Sequence, residues 1–469
     1  MTSRGERALP QLTFGKLLKQ ARVARGLSQS EVAAPILTKA FISLLERDGA
    51  RPSLGTLQHL AERLDRPLVY FLAGLDARTL ERALRELDER GQAALRQQRY
   101  AAALAVFEEL RDLAERTGVA RAAAHATLGA GEARLELHRL PEAEPLLRDA
   151  LEEARRSGDR LMECRALRGV GLVAHRAGRL HDAVTIYRTA LALIPGLPRP
   201  APVLHGELLL YLSTMQFRLG LYDESHASAM ASLALLQASA PARTAEVRMN
   251  LGVVHYRTGE YPKALDEYHQ ALRTAEQYED LQTTFRVRNN LAMVLIESGQ
   301  PDGALEHLTL AVTMARRLSD VLGECRALTE LARCYLALGA LPEAREAAEQ
   351  AVGRSHARGL ADEVARASIA LGVVSVAERR IQKGLRYLTN AYRHCTQARM
   401  TAEVIVAGHA LARVLARWGK SADAYRVHTE VFAALGGLSP QEAYGVMRMT
   451  KTLDGALDRA PSASAVRVG

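Results

Sequence analysis

Small residues recur along this chain at intervals of 39 to 42 residues. They are Ala103, Ala143, Ala183, Ser225, Ala264, Ala304, Ala344, Gly384 and Ala424. A fixed period of this size is typical of stacked helical hairpins and not of a single globular core. One hairpin cannot bury its apolar face alone, so successive hairpins stack into a superhelix whose concave wall is a surface for binding.

Further small residues mark the turns and contacts of each hairpin. Glycine stands five residues before six of the recurring positions, at Gly178, Gly220, Gly259, Gly299, Gly339 and Gly419. Because glycine adopts positive φ angles at little cost, these positions predict the turn between two helices. Another small residue follows seven residues after the recurring position, at Ala150, Ala190, Ser232, Ala271, Ala311, Ala351 and Ala391. The pattern predicts close packing of about nine hairpins over residues 84–432.

Composition agrees with an all-helical chain that has a basic amino-terminal part. Aromatic residues make up 5% of the 469 residues, which argues against a large sheet. The net charge is +9, and residues 1–75 contribute +5 because eight Arg and three Lys face six acidic residues. A basic segment of this kind indicates a polyanionic partner.

The remaining composition predicts a protein without membrane, metal or cofactor. The four cysteines form no CxxC pair, and no uninterrupted apolar run is long enough to span a membrane. No histidine spacing typical of a metal site, no nucleotide-binding loop and no nucleophile motif is present. We therefore expect a reduced, cytoplasmic protein that is not an enzyme and that binds no metal and no cofactor.

The sequence of residues 12–76 predicts five short helices. Ser28 and Glu31 form a capping box that predicts the start of the second helix. Thr38 can cap a third helix, TKAFISLLERDG. We expect the apolar side of the second helix to consist of Val32, Ala33 and Ile36. On the third helix, we expect Ile42 and Leu45 to face inward and one row to be exposed: Lys39, Ser43 and Arg47.

The segment LSQSEVAAPILTKAFISLLERDGARPS resembles the Xre and Cro/repressor family of helix-turn-helix domains. The resemblance lies in its S-Q-x-E-x-A start, its I-S-x-x-E centre and its R-P-S exit. The turn APIL is about one residue shorter than is usual in that family and lacks the usual glycine. The resemblance implies that the third helix enters the major groove of DNA. The alternative is a domain of this fold that docks only protein.

The resemblance also implies roles for individual residues of this domain. Phosphate contacts are implied for Gln29 and Arg51. DNA contacts by the third helix are implied for Thr38, Lys39, Ala40, Phe41, Ser43, Leu44 and Arg47, although packing inside the domain is an equal alternative for Phe41. Finally, Arg22 and Glu46 would lie opposite each other as a largely buried ion pair.

The repeating part, as in EYPKALDEYHQAL and LPEAREAAEQAV, resembles tetratricopeptide repeats with a unit of about 40 instead of 34 residues. In such arrays the first helix of each hairpin lines the concave wall. Asn250 and Asn290 hold the same repeat position on that helix, and the resemblance implies that they bind the backbone of an extended peptide. The alternative is that each Asn forms hydrogen bonds within its own repeat.

Several other side chains are predicted near the same groove. They are Tyr211, Arg218, Arg257, Arg286, Arg326, Arg333 and Arg366. A groove rich in Arg favours a carboxylate, such as a peptide C-terminus. The alternative is a row of Arg paired with nearby Glu.

The whole layout resembles the RRNPP class of peptide-sensing regulators. We therefore predict an all-α protein, with a five-helix helix-turn-helix domain followed by a right-handed tetratricopeptide superhelix. We expect a transcriptional regulator that binds a double-stranded DNA operator as a homodimer and holds a peptide or protein effector in the concave groove. A protein-docking scaffold and an inhibitor of a partner enzyme stay open as alternatives. We also expect a flexible segment at 1–11, a helical cap at 433–458 and a disordered tail at 459–469.

Overall fold

A computed structural model describes residues 12–438 together with residues 443, 446, 447, 450, 453–455, 457 and 458. These residues form helices and connecting segments, and none of them lies in a strand. The chain divides into two compact units, Met1–Ala201 and Pro202–Gly469. The predictions for 1–11 and 459–469, and part of the predicted cap at 433–458, lie outside the described residues.

The first unit begins with five short helices, which we term the head. Their bounds are α1 Phe14–Ala24, α2 Gln29–Ala33, α3 Lys39–Glu46, α4 Leu54–Leu64 and α5 Leu68–Leu72. Both predicted caps are present. The Ser28 hydroxyl accepts from the Glu31 amide while the Glu31 carboxylate accepts from the Ser28 amide, and the Thr38 hydroxyl accepts from the Phe41 amide. These caps fix where α2 and α3 begin.

The connection between α2 and α3 differs from the sequence prediction at one residue. Val32 and Ala33 are buried, as expected, but α2 ends at Ala33. Ile36 therefore lies in the connecting segment and is 73% exposed. The prediction that Ile36 belongs to the apolar side of α2 is wrong because the helix stops before that position.

Three helical hairpins complete the first unit. Their helices are α6 Ala77–Arg96, α7 Tyr100–Thr117, α8 Ala120–Glu136, α9 Leu140–Ser157, α10 Arg160–Arg176 and α11 Leu180–Leu193. Three hydrogen bonds attach the head to α6, one of them from the Arg90 guanidinium to the Gln58 side-chain oxygen at 3.2 Å. The Leu54 amide donates to the Glu86 carboxylate at 3.2 Å, and the Arg82 guanidinium donates to the Pro52 carbonyl at 2.8 Å. The first hairpin begins at Ala77, seven residues before the predicted start of the array at residue 84.

Six further hairpins form the second unit. Their helices are α12 Pro202–Arg218, α13 Tyr222–Ser239, α14 Thr244–Arg257, α15 Tyr261–Gln277, α16 Leu281–Glu297, α17 Pro301–Arg317, α18 Val321–Leu338, α19 Leu341–Ala357, α20 Ala361–Ala377, α21 Ile381–Gln397, α22 Thr401–Arg417 and α23 Ser421–Gly436. Short 3-10 turns lie at Ile194–Gly196 and Pro241–Arg243. The predicted all-α architecture of a five-helix head and about nine hairpins is confirmed.

The hairpin turns have a left-handed residue at the predicted position. All six predicted glycines have φ between 76° and 82°. Where other residues stand at this position, the backbone keeps the same conformation, with φ of 57° at Gln98, 60° at His138 and 65° at Arg379. The small residues of the period are buried, and the two serines satisfy their hydroxyls: Ser225 donates to the Ser213 carbonyl and Ser232 to the Gly206 carbonyl.

Candidate functional site

Helix α3 of the head presents one face to solvent. Ile42 and Leu45 on its opposite side are fully buried. Phe41 is half-buried and packs against the core of the head, which agrees with the packing alternative for that residue. The solvent-facing side chains are Lys39, Ala40, Ser43, Leu44 and Arg47, of which only Ser43 is half-buried.

Some of the residues predicted to contact DNA already have partners inside the head. The Thr38 hydroxyl caps α3, and the Gln29 amide donates to Glu46 at 2.8 Å. Arg47 folds back along α3 and donates to the Ser43 carbonyl at 3.1 Å and to its hydroxyl at 3.2 Å. Arg51 lies 3.8 Å from the Asp76 carboxylate, and both side chains are more than half exposed. Because an exposed pair of this kind contributes little, Arg51 can readily exchange Asp76 for another anion.

Arg22 on α1 and Glu46 on α3 form a bidentate ion pair that joins the two helices. The Arg22 Nε lies 2.5 Å from Glu46 Oε1, and Nη2 donates to Oε2 at 3.2 Å. The side chains are only 14% and 6% exposed. Burial alone would raise the pKa of Glu46, but hydrogen bonds from Arg22 and Gln29 and the charge of Arg22 outweigh it and hold that pKa below its usual range. The pair therefore fixes α3 against α1.

The second unit contains a cavity of about 430 Å³. The first helices of five successive hairpins contribute to it, namely α14, α16, α18, α20 and α22. Its polar lining consists of Arg257, Asn289, Asn290, Arg326, Thr329, Glu330, Arg333, Glu363, Arg366 and Glu403. Its apolar lining includes Met293, Ile369, Val406 and Leu453. These are the helices that the sequence predicted to line the groove.

Three of the four arginines around this cavity are paired with glutamates. Arg326 lies 3.0 Å from Glu363, which also lies 2.6 Å from Arg366. Arg366 has a second partner, Glu403, at 2.7 Å. Each of these pairs joins two successive hairpins or two turns of one helix. The alternative of an Arg row paired with Glu describes this part of the cavity.

Arg333 belongs to a buried network in the wall of the cavity. It lies 2.8 Å from Glu330 and 3.6 Å from Glu297. Glu297 also accepts hydrogen bonds from the hydroxyls of Tyr256, at 2.7 Å, and Tyr261, at 3.2 Å. Burial raises the pKa of Glu297 above its usual range, because Arg333 and the two tyrosines compensate only in part. This network holds Arg333 in place.

Arg257, Asn289 and Asn290 offer polar groups without a partner at the cavity. Within the described part of the chain, Arg257 forms no ion pair and no hydrogen bond, and the side chain of Asn290 forms no hydrogen bond. The Asn289 side-chain oxygen is buried without a hydrogen-bond partner, and its amide reaches only the Met293 sulfur at 3.9 Å. A buried polar atom without a partner costs free energy, so a ligand that supplies the partner is stabilised here.

The other predicted effector residues do not line the cavity. The Asn250 amide donates to the Thr214 hydroxyl at 2.7 Å, one hairpin earlier in the chain. The Tyr211 hydroxyl accepts from Arg243 at 3.3 Å. Arg218 and Arg286 are exposed. Of the nine predicted residues, the cavity brings together Arg257, Asn290, Arg326, Arg333 and Arg366.

The sequence prediction did not include the glutamates of the cavity. Glu363 and Glu403 stand 40 residues apart, at the same position of successive repeats. Arg366 follows Glu363 by three residues, which places the two on one helix face. These two spacings in the sequence could have predicted that glutamates pair with the arginines of the cavity.

Two features of other protein classes are not found in the described residues. No group of three or more His, Cys, Asp or Glu is placed there to hold a metal ion. None of the described helices is long and apolar enough to cross a membrane.

Three known protein families match four parts of the chain. A helix-turn-helix family matches residues 18–71, and tetratricopeptide repeat families match residues 122–195, 245–278 and 283–354. Neither kind of module is a catalytic domain. No curated protein matches the sequence.

Several solved structures share the fold of the array at low sequence identity. The structure of a Rap protein complexed with Competence and Sporulation Factor is 15% identical and has a TM-score of 0.60, covering 76% of this chain and 99% of that one. The apo form of the quorum sensor NprR from B. thuringiensis is 14% identical with a TM-score of 0.60, covering 76% and 99%. The Rap conjugation gene regulator of plasmid pLS20 in complex with the Phr* peptide is 12% identical with a TM-score of 0.51, covering 79% and 97%. The chain is therefore a helix-turn-helix protein with an array of tetratricopeptide repeats.

Proposed function

We propose that this protein is a transcriptional regulator that binds operator DNA through its head and binds a short peptide in the cavity of its second unit. The peptide would control the affinity of the head for DNA. The observation that carries the proposal is the unpartnered set of Arg257, Asn289 and Asn290 in a cavity whose other arginines are neutralised.

DNA binding is supported by the charge and the exposure of the head. Residues 12–74 contain nine Lys and Arg against five Asp and Glu. Lys39 and Arg47 lie on the exposed face of α3, the helix that enters the major groove in helix-turn-helix domains. Arg51 supplies a phosphate contact by exchanging Asp76 for a phosphate oxygen. Gln29 can reach phosphate only through the second N–H of its amide, since the first is held by Glu46.

Peptide binding is supported by the chemistry of the three unpartnered groups. An Asn side chain offers both a donor and an acceptor, which together match one peptide group. Asn289 and Asn290 can thus pair with the backbone of an extended chain, while Arg257 binds its terminal carboxylate. Two of the similar structures hold the Phr* peptide or Competence and Sporulation Factor, and a third is a quorum sensor. A peptide with a free carboxylate is the effector that suits these groups.

The carboxylate contact can be tested with selected peptides. The full-length protein would be used to select binders from a library of random short peptides with free C-termini, and the best binder would be measured by calorimetry. We expect Arg257→Ala to lower its affinity by about tenfold or more, which corresponds to the loss of one charge-assisted hydrogen bond. Amidation of the peptide C-terminus should cause the same loss.

Arg286→Ala is the matched control, because Arg286 is exposed on the neighbouring first helix and does not line the cavity. It should bind the peptide as the parent does. If Arg257→Ala and the parent bind every selected peptide equally, the cavity is not the effector site. If only folded proteins bind the array, the scaffold function replaces the sensor.

A further inference from the structure

We infer that α3 recognises thymine methyl groups through Leu44 and Ala40, so that the operator half-site is built around adenine–thymine pairs. The inference rests on the proposed DNA binding and adds the class of sequence that is bound.

The exposed face of α3 consists of two parallel rows. Lys39, Ser43 and Arg47 form a polar row at intervals of four residues. Ala40 and Leu44 form an apolar row beside it at the same interval. Residues four apart on a helix lie one above the other, so the two apolar side chains form one continuous patch between the cations.

Leu44 has little to gain from its position within the head. It is 43% exposed, whereas Ile42 and Leu45 on the same helix are fully buried. Leu44 therefore lies on the outward face of α3, where a bound partner can cover its side chain. A partner with strong negative charge and small apolar groups is the major groove of DNA, where the thymine C5 methyl group is exposed.

The face lacks the side chains that recognise adenine directly. Adenine is commonly recognised by Asn or Gln, which pair with its N6 and N7 atoms, and α3 contains neither residue. Gln29, on the helix before α3, already donates a hydrogen bond from its side-chain amide to Glu46 at 2.8 Å. Recognition of an adenine–thymine pair by α3 therefore falls to the apolar row and the thymine methyl group.

The polar row adds a second element to the half-site. Lys39 and Arg47 can pair with guanine O6 and N7. Arg47 is held against Ser43 by two hydrogen bonds, whereas Lys39 extends from the first turn of α3. The residues near the start of a recognition helix are those that contact base edges. We therefore expect a guanine next to the thymines that Leu44 and Ala40 contact.

Replacement of thymine by uracil tests this inference, since it removes only the C5 methyl group. The full-length protein would be used to select duplexes from a randomised pool, and each thymine of the best duplex would then be replaced in turn by uracil. Loss of one buried methyl group should weaken binding by about fourfold at one or two thymines of each half-site. Fluorescence anisotropy would measure the affinities.

Variants of α3 identify the residue that contacts the methyl group. Leu44→Ala should weaken binding to the thymine duplex and should no longer distinguish it from the uracil duplex at the affected position. Val23→Ala is the matched control, because Val23 is a 60% exposed apolar residue on α1, outside the recognition helix. It should keep the full difference between thymine and uracil.

The outcomes separate this inference from the function on which it rests. If no duplex is selected, the proposed DNA binding itself is wrong. If a duplex is bound but tolerates uracil at every position, DNA binding stands and the methyl contact is overturned. The inference is also overturned if Leu44→Ala and Ala40→Ser both distinguish thymine from uracil as well as the parent does.

Discussion

In the head, the largely buried paired arginine, Arg22, lies inside and the cations of α3 lie outside, whereas in the second unit three paired arginines line the cavity itself. Arg22 is held by Glu46 between two helices, while Lys39 and Arg47 are exposed. Around the cavity, Arg326 and Arg366 are neutralised by Glu363 and Glu403.

This difference matches the charge of the two proposed ligands. A DNA backbone carries many charges, and cations that are not neutralised attract it from a distance. A peptide carboxylate carries one charge, so a single unpaired Arg257 among neutralised neighbours is sufficient. The glutamates of the cavity also disfavour entry of a polyanion, since like charges across an interface repel.

The largest expected effect concerns the paired arginine of the head. Arg22→Ala leaves Glu46 buried without its main partner and should cost about 3–5 kcal/mol of stability. Hydrogen exchange of the α1 and α3 amides in the full-length protein would measure this. Arg25→Ala is the control, because the Arg25–Asp65 pair has side chains that are 46% and 81% exposed and should contribute under about 1 kcal/mol. Equal losses in the two variants would show that the buried pair does not hold α3.

The next effect distinguishes two asparagines that hold the same repeat position. Asn290 lines the cavity without a hydrogen bond of its own, whereas Asn250 is held by Thr214 outside it. Asn290→Ala should leave a peptide group of the ligand unpaired and cost about 1–3 kcal/mol in binding free energy. Asn250→Ala should change affinity less. Calorimetry with a selected peptide measures both, and a larger loss for Asn250→Ala would move the effector away from the cavity.

A third effect separates the two kinds of cation in the head. Lys39→Ala should relax sequence choice, because in the proposed complex Lys39 faces base edges from α3. Arg51→Ala should weaken binding to all duplexes and reduce the salt slope by about 1, because it removes one proposed phosphate contact. Titrations of two unrelated duplexes at several salt concentrations measure both quantities. An unchanged salt slope in Arg51→Ala would remove Arg51 from the phosphate contacts.

The smallest effect is a pH dependence of opposite sign in the two regions. The pKa of Glu46 is lowered in the folded state, so its contribution to stability is present above the unfolded pKa and is lost as pH falls through the folded pKa. The pKa of Glu297 is raised, so the folded state is favoured at low pH and loses this advantage as pH rises through the folded pKa. Unfolding curves of Glu46→Gln and Glu297→Gln against pH should each lose one of these slopes. If stability depends on pH in the same way in both variants, Glu46 and Glu297 are not the sources of the two opposite pH dependences.

The repeat architecture was predictable from the sequence because each hairpin reuses one geometry. A positive φ is needed at one turn position in every repeat, and glycine marks it six times. The caps at Ser28 and Thr38 were predictable for a similar reason, since they depend only on neighbours in the chain. The exposure of Ile36 was missed although its signal is also local. Pro35 disfavours a helical conformation at Ala34 and so ends α2 before Ile36.

The pairing across hairpins was harder to predict, although part of it can be traced to spacing. Asn250 meets Thr214, which stands 36 residues earlier. The residue 36 positions before Asn290 is Val254, which offers no hydrogen-bonding side chain. The Asn at this repeat position is therefore hydrogen-bonded in one hairpin and has no such partner in the next. The sequence of one repeat does not predict this difference, because the partner belongs to the preceding hairpin.

The most direct test of the account is DNA binding by the full-length protein with and without a selected peptide, in the parent and in Arg257→Ala. Without peptide, both proteins should bind the selected duplex with the same affinity, because Arg257 lies outside the head. At a peptide concentration that saturates the parent, the affinity of the parent for DNA should change. At the same peptide concentration, Arg257→Ala should bind DNA with the affinity that it has without peptide. A peptide response in Arg257→Ala equal to that of the parent would contradict the account.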